Sequence, residues 1–77
     1  MSTIDKILFL LKDGKWHDLN EITQKVTSSK TKSEMAVNFL KEYDFIKQNQ
    51  DTKVKLQPTI LNFITTLQRL ETEEQTN

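Results

Sequence analysis

The apolar positions near the start of the chain repeat with the period of an α-helix. The i, i+3, i+4, i+7 spacing of a helix packed along one face is followed by Ile4, Ile7, Leu8 and Leu11. Ser2 or Thr3 can cap the first amides, and Gly14 stands where a helix C-terminus favours a left-handed residue. The pattern predicts a helix over residues 3–13.

A second helix is predicted to follow a short extended link at residues 15–17. Asp18 and Glu21 have the spacing of a capping box, in which each side chain bonds to the other residue's backbone amide. The inward stripe of this helix would consist of Leu19, Ile22 and Val26.

A third helix is predicted after residues 27–29, because short hydroxyl side chains favour turns and caps. It would begin at Lys30 or Thr31, capped either by Ser29 or by a capping box of Thr31 and Glu34. Its apolar face is expected to consist of Met35, Ala36, Phe39, Leu40 and Tyr43.

The period changes to two over residues 45–56, which predicts a β-hairpin with its turn at residues 49–52. Ile46, Val54 and Leu56 would point inward, and Lys47, Lys53 and Lys55 outward. A lone hairpin is barely stable in water, so this one must pack on the helices. Pro58 suits the first turn of a last helix, expected to run to about Glu71 and to leave residues 72–77 as a polar, disordered tail.

Composition narrows the functional classes. The chain has 77 residues, no cysteine and one histidine, which indicates a single domain over residues 1–71 without a disulfide or a zinc site. No apolar run is long enough for a membrane span, and we expect a cytoplasmic protein. No pattern of catalytic residues or cofactor motif is present, so we expect neither enzymatic activity nor a cofactor.

Net charge is zero, but its distribution along the chain is uneven. Residues 1–70 hold eleven basic and eight acidic side chains, a net charge of +3, and the other acidic residues fall in the last seven positions. Lysines concentrate in two stretches, residues 25–33 and 47–55. A mildly basic body with such clusters is compatible with binding to a polyanion.

The element order and two segments resemble a known family. Residues 16–56 resemble a winged helix-turn-helix domain, and AVNFLKEYDFIKQ resembles the end of the recognition helix and the start of the wing in small archaeal winged-helix proteins. Asp44 stands where that family usually has glycine, and aspartate tolerates a left-handed backbone better than most residues. LQPTILNFI resembles the entry into a C-terminal helix through which some members dimerise. The resemblance implies a mainly α fold with a small β-hairpin, in the order α-β-α-α-β-β-α.

The resemblance implies that the third helix enters the major groove of duplex DNA while the wing adds contacts. The expected DNA-binding residues are Ser29, Lys30, Thr31, Lys32, Ser33, Asn38, Lys41, Lys47, Lys53 and Lys55. Lysines neutralise phosphates, and Asn38 either bonds an adenine edge or is an idle surface residue. Neither lysine cluster contains arginine, so we expect a modest affinity for DNA that depends mostly on contacts with the DNA backbone. Glu34 opposes binding unless it serves as a cap or accepts from cytosine.

The last helix has more apolar positions than one face requires. Ile60, Phe63, Leu67 and Leu70 follow the 3, 4, 3 steps of a coiled coil, and Leu61 and Ile64 widen the stripe. Phe9 and Leu10 are also off the stripe of the first helix. We expect a homodimer built from these eight residues, with a C-terminal dimerisation helix at about residues 58–71; the alternative is a monomer whose last helix covers a thin core.

Two functional hypotheses follow. The first is a homodimeric transcription regulator or small chromatin-type factor, nucleoid-associated and without membrane or metal partners; the second is a winged-helix protein–protein adaptor without DNA binding. Trp16 and His17 are either a stacking platform or, as such positions more often are, a core tryptophan and an exposed strand residue.

Overall fold

The computed structural model describes residues 2–27 and 29–75. Over these residues the chain forms four α-helices and one three-stranded antiparallel sheet. In chain order the elements are α1 (Thr3–Leu11), β1 (His17–Asp18), α2 (Leu19–Val26), α3 (Lys30–Glu42), β2 (Ile46–Gln48), β3 (Lys53–Leu56) and α4 (Pro58–Gln75). The predicted class, mainly helical with a small hairpin, is confirmed.

Local hydrogen bonds define both ends of α1. The Asp5 amide donates to Ser2 Oγ at 3.1 Å and the Ser2 amide donates to the Asp5 carboxylate at 3.3 Å, so Ser2 is the cap and forms a capping box. The helix ends at Leu11, earlier than expected, with Lys12 as its C-cap. Gly14 has φ +75° and its amide donates to the Leu11 carbonyl at 3.1 Å, which confirms the left-handed residue predicted there.

The caps of α2 and α3 differ in part from expectation. The Asp18 carboxylate accepts from the Asn20 amide at 2.8 Å, but Glu21 does not complete a capping box because its carboxylate bonds to His17 and Lys25. α3 is capped by Ser29, whose hydroxyl accepts from the Lys32 amide at 3.1 Å. The alternative capping box of Thr31 and Glu34 is therefore wrong. Residue 28 of the predicted turn lies outside the described residues.

The buried face of α3 is rotated from the expected one. The buried side chains are Ser33, Ala36, Val37 and Leu40. Met35, Phe39 and Tyr43, which we predicted to face the core, are exposed. Ser33 is only 2% exposed and its hydroxyl lies 3.0 Å from that of Thr23 on α2. The small side chains of Ser33 and Ala36 let α3 approach its neighbouring helices closely, whereas the bulky side chains of Met35 and Phe39 would hold the helices further apart.

The sheet has the strand order β1-β3-β2, so that β3 is central. His17 pairs with Val54 and Lys47 pairs with Lys55, both in antiparallel register. The inward set predicted for the hairpin is confirmed, since Ile46, Val54 and Leu56 are buried. At the turn, the Asn49 side chain accepts from the amides of Asp51 and Lys53 at 2.9 and 3.0 Å.

Asp44 closes the connection between α3 and the hairpin with a left-handed backbone, φ +60°. Its amide donates to the Lys41 carbonyl at 3.0 Å, and the Phe45 amide donates to the Leu40 carbonyl at 2.9 Å. These bonds satisfy carbonyls at the end of the helix. The aspartate thus adopts the conformation that glycine usually supplies at such helix ends.

The core lies between the inner face of the sheet and the helices. It consists of Ile7, Leu11, Ile22, Val26, Ala36, Val37, Leu40, Ile46, Val54 and Leu56. Among the side chains of α4 that the structure describes, residues 58–72, those that pack against it are Ile60, Leu61 and Ile64, and all three lie in the first half of the helix. α4 continues to Gln75, so residues 72–75 of the predicted tail are helical; residues 76 and 77 lie outside the described range.

Replacement of Gly14 tests the end of α1. In Gly14→Ala the new Cβ would lie 2.9 Å from Leu61 Cδ2 and the residue would keep a positive φ. The flexible Leu61 tip can shift, so the backbone term dominates, and we expect a decrease of about 1–2 kcal/mol in unfolding free energy by urea denaturation. Gly14→Asn has the same Cβ but tolerates the left-handed region better, so its decrease should be smaller. Equal decreases in the two variants would assign the cost to the contact with Leu61.

Candidate nucleic-acid interface

A polar groove of about 490 Å³ lies beside the exposed flank of α3. From α3 it is lined by Lys30, Glu34, Asn38 and Lys41, whose spacing places them along one side of the helix. The start of α2 and the hairpin turn form the other walls, with Asp18, Asn20, Gln48 and Thr52. Three of the expected DNA-binding residues of α3, namely Lys30, Asn38 and Lys41, thus line a concave surface next to the hairpin.

Charges in this groove are balanced. Lys30 and Lys41 are opposed by Asp18 and Glu34. The Asp18 carboxylate is already engaged by the Asn20 amide, whereas Glu34 is exposed between the two lysines on the helix. The groove therefore presents two cations and amide groups that can bond phosphates or base edges, and its attraction for a polyanion is moderated by Glu34.

The other residues predicted at the start of α3 do not all face this groove. Lys32 precedes Met35 and Phe39 by three and seven positions, so it lies on the opposite flank of the helix. Ser33 is among the residues that line the groove, but it is only 2% exposed and its hydroxyl accepts a hydrogen bond from Thr23 on α2, so its role as a DNA contact stays a prediction. Ser29 uses its hydroxyl to cap the helix, and Thr31 is exposed.

The hairpin lysines lie on the outer face of the sheet. Side chains alternate along a strand, so Lys53 and Lys55 project away from the buried Val54, and Lys47 projects away from Ile46. The polar groove meets the hairpin at Gln48 and Thr52 instead. The lysines predicted to contact DNA are thus distributed over the groove, the opposite flank of α3 and the outer face of the sheet.

Trp16 belongs to this outer face and not to the core, contrary to our expectation. Its side chain is 40% exposed, and the Lys55 ammonium lies 4.8 Å from the ring centroid. Trp16 lies two residues before Asp18, which pairs with Lys53, so the alternation of the chain turns the indole outward. The inward position next to it is taken by His17.

His17 is held between two carboxylates, although we predicted an exposed strand residue. Nε2 lies 3.0 Å from both Asp13 carboxylate oxygens, and Nδ1 lies 3.1 Å from Glu21 Oε1. A ring that carries both protons donates to each carboxylate. The imidazole thereby connects the segment after α1 to the first turn of α2 and is not free to stack on a ligand.

The two carboxylates have lowered pKa values. The pKa of Asp13 lies below its ordinary value because the Lys15 amide donates to the carboxylate, and His17 adds a second hydrogen bond. The pKa of Glu21 is lowered by the hydrogen bond from Lys25, at 3.1 Å, and then by that from His17. Both groups therefore favour the ionised state more in the folded chain than in the unfolded one.

A second groove, of about 500 Å³, is apolar and lies along α4. It is lined by Leu8, Phe45, Thr59, Ile60, Phe63, Ile64 and Leu67. Leu8 and Phe45 were not among the predicted interface residues; their place in the groove depends on how α1 and the end of α3 approach α4, which spacing along the chain does not reveal.

The predicted interface residues divide into two groups. Leu10, Ile60, Leu61 and Ile64 pack against their own core. Phe9, Phe63, Leu67 and Leu70 remain exposed. Phe9 lies under the Lys12 ammonium, 3.8 Å from the ring centroid, and does not line the apolar groove.

Two further findings concern the described residues. None of their helices has the length and apolar character that crossing a membrane requires. Within the same ranges, no group of three or more histidine or carboxylate side chains is placed to hold a metal ion. Comparisons with protein-family models, curated proteins and solved structures find no match for this chain.

The contacts of His17 predict acid sensitivity. Because the pKa values of Asp13 and Glu21 are depressed in the folded chain, their stabilising effect is complete above their ordinary values, 3.8 and 4.5. It disappears as pH falls through the lower folded values, since protonation then favours the unfolded chain. Urea denaturation between pH 6 and pH 3 should show a smaller decline for Asp13→Asn with Glu21→Gln than for the unchanged chain. The exposed Glu42→Gln should keep the full decline, and equal declines in all three would contradict the assignment.

Proposed function

We propose that this chain is a winged helix-turn-helix protein that binds duplex DNA as a homodimer, as a transcription regulator or a small chromatin-type factor. The observation that carries the proposal is the polar groove, in which the exposed flank of α3 lies beside a hairpin. α3 has 13 residues and is about 20 Å long, and its width suits the major groove. The element order and the left-handed Asp44 before the hairpin also support a winged helix.

Three residues of the groove have a role in this proposal. Lys30 and Lys41 neutralise phosphates along the wall of the major groove, and Asn38 between them presents an amide to base edges. The hairpin acts as the wing. Lys53 directly follows the groove residue Thr52, and it is the wing lysine that we assign to a flanking phosphate. With few cations per chain, affinity depends on two copies binding together.

A second copy of the chain is the proposed occupant of the apolar groove along α4. Phe63 is 60% exposed and Leu67 and Leu70 are also exposed, although all three are large apolar residues on one side of the helix. α4 also extends past the core-packing residues, so its second half offers this stripe to a partner. Pairing through the same stripe in both copies is a two-fold, self-complementary contact, and it would present two α3 helices to one duplex.

The duplex site predicts which lysines matter. Lys30→Ala with Lys41→Ala should weaken duplex binding, and the dependence of log affinity on log salt should become shallower by about 0.9 for each phosphate that is no longer neutralised. Lys32→Ala is the matched control, because Lys32 lies on the opposite flank and should have a smaller effect. Electrophoretic mobility shift and fluorescence anisotropy at several salt concentrations measure both quantities.

Glu34→Gln tests the same groove, and its expected effect on duplex affinity is opposite to that of the lysine variants. Removal of its negative charge between Lys30 and Lys41 should raise duplex affinity and leave the melting temperature unchanged. No duplex binding by the unchanged chain at low salt, or a greater weakening by Lys32→Ala than by the Lys30 and Lys41 variant, would overturn the site.

The dimer predicts that a charge on the exposed stripe of α4 separates the copies. Phe63→Glu should shift the sedimentation coefficient at micromolar concentration to that of the single chain, because a buried, unpaired carboxylate opposes association. Asn62→Glu adds the same charge on a polar side of the same helix and should leave the dimer intact. A single-chain mass for the unchanged protein would contradict the proposal.

One observation favours the second candidate function, a protein–protein adaptor. Met35, Phe39 and Tyr43 are exposed along the flank of α3 opposite the polar groove, and the rings of Phe39 and Tyr43 lie 4.8 Å apart. An exposed apolar stripe of this kind suits a protein surface better than a phosphate backbone. The adaptor becomes the better proposal if duplex DNA does not bind at any salt concentration.

A further inference from the structure

The outer face of the sheet carries a set of side chains that the duplex site does not use. Lys47 on β2 and Lys55 on β3 are direct cross-strand partners, and Trp16 lies on the other side of Lys55. All three project away from the core, because their neighbours Ile46, His17 and Val54 point inward. They therefore form one row that runs across β2 and β3 to the residue preceding β1.

Trp16 is unusual in its exposure. Burial of a large aromatic ring is among the most favourable contributions available to a small domain with a thin core. Yet 40% of this side chain remains accessible, with the Lys55 ammonium 4.8 Å from the ring centroid. The cation orients the indole and places a positive charge beside its π face.

The charges on this face are not balanced by the protein. Like charges directly opposite each other on neighbouring strands are destabilising, and Lys47 faces Lys55 in this way. Among the side chains of residues 2–27 and 29–72, no carboxylate oxygen lies within 4.0 Å of the ammonium groups of Lys47, Lys53 or Lys55. Asp18, the cross-strand partner of Lys53, is engaged in capping α2. A bound anion would relieve this repulsion.

An accessible indole beside two cations matches the chemistry of a nucleotide, which joins a flat π surface to an anionic phosphate. Base stacking on aromatic side chains combined with lysine–phosphate contacts is how single strands are bound without sequence preference. A duplex keeps its base faces stacked inside, so an indole on a sheet surface cannot reach them. The face therefore suits an unpaired strand and not a double helix.

We propose that the outer sheet face formed by Trp16, Lys47 and Lys55 is a second binding site, specific for single-stranded nucleic acid. The Lys55 ammonium lies over the indole ring, so a base that stacks on Trp16 displaces it, and Lys55 and Lys47 then contact the phosphates on either side of that base. This site is separate from the polar groove beside α3, and it does not depend on the duplex proposal.

Trp16 is the single tryptophan of the chain, so its fluorescence reports on this site directly. Titration of the full chain with an oligothymidylate of about 15 nucleotides, within the length that one such site covers, should quench the emission, because the base contacts the indole. Duplex DNA at equal phosphate concentration should quench it much less. Oligouridylate in a parallel titration distinguishes DNA from RNA as the preferred strand. Absence of quenching and of binding by either strand would overturn the proposal.

Variants separate stacking from charge. In anisotropy titrations with a fluorescein-labelled oligothymidylate, Trp16→Leu should weaken binding by about 5- to 150-fold, and Trp16→Phe should retain most of the affinity. Lys47→Ala with Lys55→Ala should make the salt dependence shallower by about 0.7 for each phosphate that is no longer neutralised. Unchanged affinity in Trp16→Leu, with a native circular dichroism spectrum, would contradict the proposal. Equal competition by a polyglutamate peptide would also do so, because it would assign the face to acidic polypeptides.

The two sites are distinguished by exchanging probes. Lys30→Ala with Lys41→Ala should weaken duplex binding and leave single-strand binding unchanged, whereas Trp16→Leu should show the reverse. If single-strand binding falls equally in both variants, the separate site is wrong. If duplex binding is absent from the unchanged chain while oligothymidylate still quenches Trp16, the duplex proposal fails and the present one stands.

Discussion

The central strand β3 pairs with both β1 and β2, so each of its side chains must lie on one of the two faces of the sheet. Val54 and Leu56 are buried in the core, and Lys53 and Lys55 therefore project outward. The same pairing determines the orientation of residues on the neighbouring strands, since a shift of one residue would exchange the two faces. The position of Trp16 outside and of His17 inside follows from this register, as does the row of side chains that we propose as a single-strand site.

The small core has consequences for every surface of the molecule. Three short strands and three short helices enclose it, and only the first half of α4 is needed to complete it. Large apolar side chains consequently remain exposed on α3 and α4. Polar contacts add to this core at its margins: His17 between Asp13 and Glu21 connects α1 to α2, and the Thr23 and Ser33 hydroxyl pair joins α2 to α3.

The candidate site was predictable only in part from the chain. Lys30, Asn38 and Lys41 were expected to contact DNA from α3, and they do line one groove, because helical spacing alone decides which residues share a side. Ser33 was expected to be accessible because a hydroxyl in the first turn of a helix suggests a surface residue. Its burial depends on a partner ten residues earlier, Thr23 on another helix. The separation of Lys32 from the groove and the exposure of Met35 and Phe39 have a related cause. The sequence of α3 contains two overlapping stripes of residues that could face the core, and the stripe with the small side chains is the one that packs against α2.

Local rules were sufficient for the order of the elements and for several of their ends. Caps at Ser2 and Ser29, left-handed residues at Gly14 and Asp44, and the alternation of the hairpin all depend on residues a few positions apart, and the sequence by itself determined them. Contacts between distant segments were decided only by the tertiary structure. The partners of His17, the outward indole of Trp16 and the contribution of Leu8 and Phe45 to the apolar groove arise where strands and helices meet. The physical reason is that the surroundings of a side chain depend on strand register and on packing between elements. The periodicity of a single segment gives no information about either.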